Sequence, residues 1–152
     1  MKAKGYYSAY NRGPEGDEAS PETIAHNISL AVQTATTIQM TFPGTLDVWI
    51  PHNQRMINMA WVKGLVDSPD ILELCCEIIR EDLPILLVHN REQHLTEGMK
   101  LEIIVGVECG CLVVQFAEWD DEAKEATAVA IQEWMVRHGT LPQERDAAGP
   151  LA

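Results

Sequence analysis

The stretch Leu83-Pro84-Ile85-Leu86-Leu87-Val88 is an unbroken apolar run of strand length. Such a run is what a strand covered on both faces of a parallel sheet requires, whereas a half-exposed antiparallel strand would alternate with polar residues. Its proline is tolerable only at the beginning of the run, where no ladder hydrogen bond is lost. Upstream, Ser68-Pro69-Asp70 supplies a cap and an early proline for a helix whose apolar stripe is Ile71, Leu74, Cys75, Ile78 and Ile79. Downstream, a loop from His89 to Leu95 leads into a second helix, from about Gly98 to Cys109, with Gly110 as its stop.

The same alternation extends in both directions. Lys4 to Ala9 reads as a first strand, followed by a polar loop from Asn11 to Ser20. Ser20 caps a helix with Pro21 at its first position, and Ile24, Ile28, Ala31, Val32 and Ala35 recur at helical spacing until the pattern fades near Met40. Leu46 to Ile50 reads as the second strand, and Asn53 to Asp67 has no clear period. Cys111 to Phe116 reads as the last strand, and Glu122 to His138 as the last helix, with Ala126, Val129, Ala130 and Trp134 on its inner face. Alternating strands and helices predict one α/β domain, residues 1–139, with a parallel sheet flanked by helices on both faces. Residues 140–152 are expected to form a flexible tail.

Composition narrows the function classes. Eleven Lys and Arg against 23 Asp and Glu give a formal net charge of -12, which repels an extended polyphosphate and argues against nucleic acid as a partner. One arginine can still hold one phosphate of a small ligand by paired hydrogen bonds. No stretch approaches a membrane span, and Met1 to Gly5 runs into Tyr-Tyr-Ser-Ala-Tyr without the apolar segment of a secretory signal, so the expected location is cytoplasmic. Cys75-Cys76 and Cys109-x-Cys111 match no zinc spacing and lie among aliphatic residues, so reduced core thiols are expected, with neither metal nor cofactor.

The segments leaving the first three strands, Tyr6 to Gly13, Pro51-His52 and His89 to Glu102, should converge at the carboxyl ends of the strands, where parallel α/β sheets bind ligands. In Thr96-Glu97-Gly98-Met99-Lys100-Leu101-Glu102 a carboxylate follows a glycine by four residues. If that glycine opens a helix, Glu102 lies near the positive end of the dipole, whose field favours the ionised form of a nucleophile. The alternative is a β-branched core segment carrying one charge. Thr96 is also a plausible helix cap needing no ligand, and Tyr6 an ordinary strand aromatic.

Thr96-x-Gly98-x-x-x-Glu102 is similar to the Asp/Ser/Thr-x-Gly-x-x-x-Glu element of the nucleoside 2-deoxyribosyltransferase superfamily, which includes the 2'-deoxynucleoside 5'-phosphate N-hydrolases. Tyr6-Tyr7-Ser8-Ala9-Tyr10-Asn11-Arg12-Gly13 resembles the Tyr-Ile-Ser-Gly-Pro-Met-Arg-Gly segment of its bacterial and phage relatives, matching at Tyr, Ser, Arg and Gly. The resemblance implies a flavodoxin-like or Rossmann-like fold and cleavage of an N-glycosidic bond in a small nucleoside or nucleotide through a covalent glycosyl-glutamate. It implies Glu102 as nucleophile and Tyr6 as the group that orients it. Ser8, Arg12 and Gly13 would lie at the phosphate or sugar end, with Thr96, Gly98 and Met99 beneath the sugar. It also implies a homodimer, because family members commonly build their sites across a subunit boundary. Two departures stand: Ala9 and Tyr10 replace Gly and Pro, and the family's acid-base aspartate has no counterpart near Glu73, Leu74 and Cys75, which leaves Glu73 as the substitute. A catalytically silent nucleotide-binding module of the same fold, or an NAD-cleaving enzyme that uses a glutamate, would carry the same features.

Overall fold

A computed structural model describes residues 1–139; the tail expected at 140–152 lies outside the described residues. The fold is α/β: four parallel strands in the order β2-β1-β3-β4, with helices on both faces. The strands are β1 (Ala3–Ser8), β2 (Leu46–Trp49), β3 (Ile85–His89) and β4 (Val113–Phe116), and the helices are α1 (Pro21–Thr41), α2 (Arg55–Val62), α3 (Ser68–Asp82), α4 (Glu97–Glu108) and α5 (Asp121–Arg137). This is the flavodoxin-like arrangement expected from the alternating elements, with the order reversing between β1 and β3.

Every residue of β3 is buried, and its side chains divide between two cores by the two-residue period of a strand. Ile85 and Leu87 pack with Tyr7 of β1 against α1 and α5. Leu86 and Val88 pack with Tyr6 against α3 and α4. Among the described residues, no helix is long and apolar enough to cross a membrane. Cys75 and Cys76 are buried, Cys109 and Cys111 half-buried, and all four are free thiols.

Several local details differ from expectation, each for an identifiable reason. The α3 cap is Asp67, which makes a reciprocal capping box with Asp70 and leaves Ser68 as the first helical residue. Leu83 does not begin β3; it terminates α3 in a left-handed conformation (φ 47°), and Pro84 follows it outside the ladder. The stretch after β2 that has no clear period contains the short helix α2, in which no residue is fully buried and only Ile57, Ala60 and Trp61 turn a half-buried face inward. Leu74 is exposed, and α5 turns Ala126 and Val129 outward. Its inner face is instead Ala123, Thr127, Ala130, Ile131, Trp134 and Met135.

Helix α4 approaches the sheet closely at Gly106. A Cβ there would stand 2.3 Å from Leu86 Cδ1 and 3.2 Å from its Cγ, and Leu86 is fully buried. Alanine is better than glycine in a helix interior by about 1 kcal/mol, but overpacking of a dense core costs about 1–3 kcal/mol. Gly106→Ala is therefore expected to lower the urea midpoint. A midpoint at or above that of the wild type would show that α4 can move away from β3 at no cost.

Candidate active site

The period that sends Tyr7 to one face of the sheet sends Tyr6 and Ser8 together to the other, facing α4. α4 begins where Thr96 accepts a hydrogen bond from the Met99 N–H at 3.2 Å. Glu102 lies on its buried side. The Tyr6 hydroxyl donates to Glu102 Oε2, and the Ser8 hydroxyl donates to Oε1 at 3.0 Å. Both oxygens of one buried carboxylate are thus held by two side chains spaced two apart on a central strand. On its other flank the Tyr6 ring lies against Trp49, with centroids 5.3 Å apart. That contact follows from register, because Tyr6 and Trp49 are opposite one another in the β1–β2 pair.

The electrostatics differ from the sequence expectation. Glu102 sits about one and a half turns inside α4, and the dipole field falls away within the first turn. Burial dominates instead and pushes the carboxyl up to about 7, opposed by the hydrogen bonds from Tyr6 and Ser8. The Tyr6 phenol is held well above its ordinary value, first by burial and then by the negative charge of Glu102, so it stays a donor. Cys75, which the sequence reading assigned only to the core, lies beside this pair; burial pushes its thiol up to about 11.

The other expected site residues occupy varied positions. Gly98 is in the first turn of α4, where a Cβ would meet Leu72 Cδ1 at 3.7 Å, an ordinary contact. Gly13 has φ +71°, and a Cβ there would lie 2.9 Å from the Tyr10 ring, so the loop itself demands glycine. Arg12 is paired with Asp17 at 2.5 Å. The Met99 side chain is buried in the core between α3, α4 and the sheet. Glu73 does not join the group around Glu102: its side chain is exposed on α3 and lies 3.6 Å from Arg80. The structure thus unites Tyr6, Ser8 and Glu102, seats Thr96 and Gly98 at the start of the same helix, and leaves Glu73 outside this group.

On the opposite face, His89 Nδ1 lies 2.7 Å from the Tyr7 hydroxyl and Nε2 lies 3.0 Å from the Ala117 carbonyl. A carbonyl only accepts, so Nε2 carries the proton and Nδ1 accepts from Tyr7. Burial lowers His89 to about 4, which keeps this ring neutral. Among the described residues, no three His, Cys, Asp or Glu side chains group as metal ligands would.

Comparisons with protein-family models, with characterised proteins and with solved structures return no match for this chain.

The buried carboxylate has a signature in stability. Its folded-state value, about 7, lies above the ordinary 4.5, so the folded state binds the extra proton between those values. The stabilisation is complete below about pH 4.5 and is lost as pH rises through about 7. Glu102→Gln mimics the protonated form, at the cost of obliging one hydroxyl partner to reverse its bond. The variant is expected to be more stable than wild type at pH 8 by about 1–3 kcal/mol, with the difference shrinking toward pH 5. Urea titrations at the two pH values measure this. A difference independent of pH would mean that Glu102 ionises as freely as in water.

Proposed function

We propose that the chain cleaves the N-glycosidic bond of a small deoxyribonucleoside or its 5'-phosphate, with Glu102 as nucleophile. The observation that carries this reading is the engagement of both Glu102 oxygens by Tyr6 and Ser8 at the carboxyl end of β1, the same residues on which the resemblance to the deoxyribosyltransferase superfamily rests. In the ionised form, Glu102 attacks the anomeric carbon, the carbon–nitrogen bond breaks, and the base leaves with the bonding pair and acquires a proton. Water or a second base then displaces the glutamate and restores the carboxylate. An oxocarbenium-like transition state is stabilised by the adjacent anion, and a nearly dry site strengthens that attraction. Tyr6 acts as a positioning residue that fixes one oxygen of the carboxylate.

Gly98 favours the same reading. Packing within the protein does not call for glycine there, because it leaves room for a Cβ at ordinary contact distance. A sugar approaching the backbone at the start of α4 gives a reason for its absence. Ser8 is committed to Glu102, so Arg12 remains the candidate for the phosphate end, exchanging Asp17 for the ligand.

The test is incubation with a panel of deoxynucleosides and their 5'-monophosphates, with free base measured by chromatography. Base release is expected, with kcat/KM rising through about pH 7 as Glu102 ionises. Glu102→Gln is expected to reduce it by roughly a thousandfold or more. Tyr6→Phe is expected to lower kcat/KM and to move its rising limb to higher pH, because a bond that favours the carboxylate is lost. Absence of base release from the folded wild type would favour the silent nucleotide-binding module. Cleavage of NAD with none of the panel would favour the NAD-cleaving reading.

The reading includes assembly as a homodimer. Leu101, Ile104 and Val107 are exposed on the outer face of α4, and Leu74 is exposed on neighbouring α3. A helix apolar on both sides is suited to burial on both sides. Sedimentation equilibrium is expected to give a dimer that Ile104→Lys converts to monomer; a monomeric wild type at tens of micromolar would refute it.

A further inference from the structure

A second site lies on the other face of the sheet. Where β3 and β4 end, a cavity of about 470 Å³ opens between α1 and the segment leading into α5, lined by Tyr10, Asn27, His89, Arg91, Glu118 and Trp119 among others. Its volume is within the range of small-molecule sites, and its place at the carboxyl edge of a parallel sheet is where such folds collect ligands. It is separate from Glu102, which faces α3 and α4; Tyr10, packed into that other core, divides the two.

Arg91 decides the chemistry. Its guanidinium lies over the Tyr10 ring, 4.5 Å from the centroid, and Nη2 donates to the carbonyls of Asn27 at 3.3 Å and Tyr10 at 3.5 Å. Nε is buried with no hydrogen-bond partner among the described residues. Arg12, Arg80 and Arg137 each have a carboxylate within 4 Å, but Arg91 has none among the described residues. Its charge reaches Tyr7, His52 and His89. In a chain of net charge -12, an arginine held in place by backbone carbonyls and left without a carboxylate is a preorganised anion receptor. The turn that carries it is under backbone strain: Glu92 (φ 55°) and Gln93 (φ 57°) are consecutive non-glycine residues in the left-handed region, a departure that concentrates at ligand sites.

The remaining lining residues refine the class. Trp119 and Tyr10 offer aromatic surfaces, and Leu30 an apolar one. Glu92 and Glu118 line the same cavity, where they disfavour a dianion and can accept from ring N–H groups. We propose that this cavity binds a small aromatic monocarboxylate carrying an N–H donor, with its carboxylate on Arg91 and its ring against Trp119. The site is independent of the glycosidic chemistry assigned to Glu102.

The test uses the full chain and indole-3-carboxylate as probe, with indole, inorganic phosphate and deoxyadenosine monophosphate as comparisons. Calorimetry is expected to give saturable binding of indole-3-carboxylate at least tenfold tighter than indole or phosphate. Arg91→Met is expected to remove that advantage, and Glu102→Gln to leave it unchanged. In the wild type, which avoids any folding defect of the variant, two-dimensional NMR is expected to move the indole N–H of Trp119 on saturation while that of Trp49, beside Tyr6, stays fixed. No binding overturns the proposal, as does a response confined to Trp49. If deoxyadenosine monophosphate shifts Trp119 and outcompetes indole-3-carboxylate, the ligand class is overturned in favour of a phosphate ester.

Discussion

A carboxylate placed between a helix and a sheet must either neutralise or have its oxygens satisfied, and this chain arranges Glu102 so that either is available. Two hydroxyl donors from β1, Tyr6 and Ser8, hold its two oxygens, and their bonds offset part of the desolvation that would otherwise expel the charge. The balance falls near neutrality, at about 7. A carboxyl poised there is available as an anion at physiological pH without being fully solvated, which is the condition for a useful nucleophile or base. The whole α3/α4 side of the sheet is organised around that balance: Met99 and Val105 close the core on either side of Glu102 along α4, and Trp49 covers the Tyr6 ring from the neighbouring strand.

The same two-residue alternation gives the opposite face a parallel construction. Adjacent tyrosines on β1 point to opposite sides, and each phenol meets a titratable partner from another element. Tyr6 meets Glu102 of α4, and Tyr7 meets His89 at the end of β3. The partners are held oppositely: Glu102 can ionise near pH 7, whereas His89 is locked neutral between a phenol and a carbonyl. One face therefore offers charge that can change, and the other offers a fixed dipole beside the permanent charge of Arg91. That difference separates the roles assigned to the two faces, chemistry on one and recognition on the other.

Much of this was legible in the residues. The apolar run ending at Val88 identified a strand buried on both sides, and the alternating elements around it identified the parallel sheet, because both signals rest on burial patterns that a sequence carries openly. The meeting of Tyr6 with Glu102 was implied by the family resemblance, whereas Ser8 was expected at the phosphate or sugar end and instead donates to the same carboxylate. What was hidden depended on solvation or register. Glu102 was expected to be favoured as an anion by the helix dipole, but its depth from solvent cannot be read from spacing, and desolvation outweighs a field it barely feels. Glu73 occupied the right stretch of α3, yet the rotation of that helix sends it to solvent and Arg80. Trp49 was visible as a strand residue, but its contact with Tyr6 needed the β1–β2 register. Helix α2 is eight residues long, and its inward face, Ile57, Ala60 and Trp61, is too short a stripe to stand out in the sequence.

The position of Glu102 is supported by a close contact one turn further along its helix. At Gly106 the backbone of α4 comes so near β3 that the Leu86 side chain occupies the space a Cβ would take. Leu86 is paired in register with Tyr6 on β1, so the residue that receives the helix and the residue that binds the carboxylate lie side by side on the sheet. Any outward displacement of α4 at Gly106 would be transmitted along a rigid helix to Glu102, lengthening its bonds to Tyr6 and Ser8 and admitting water. The depth of the carboxyl and the geometry of its two donors thus depend on this close approach together with the packing of Met99 and Val105 around it. A missing side chain at position 106 is therefore as much a part of the site as the acid at position 102.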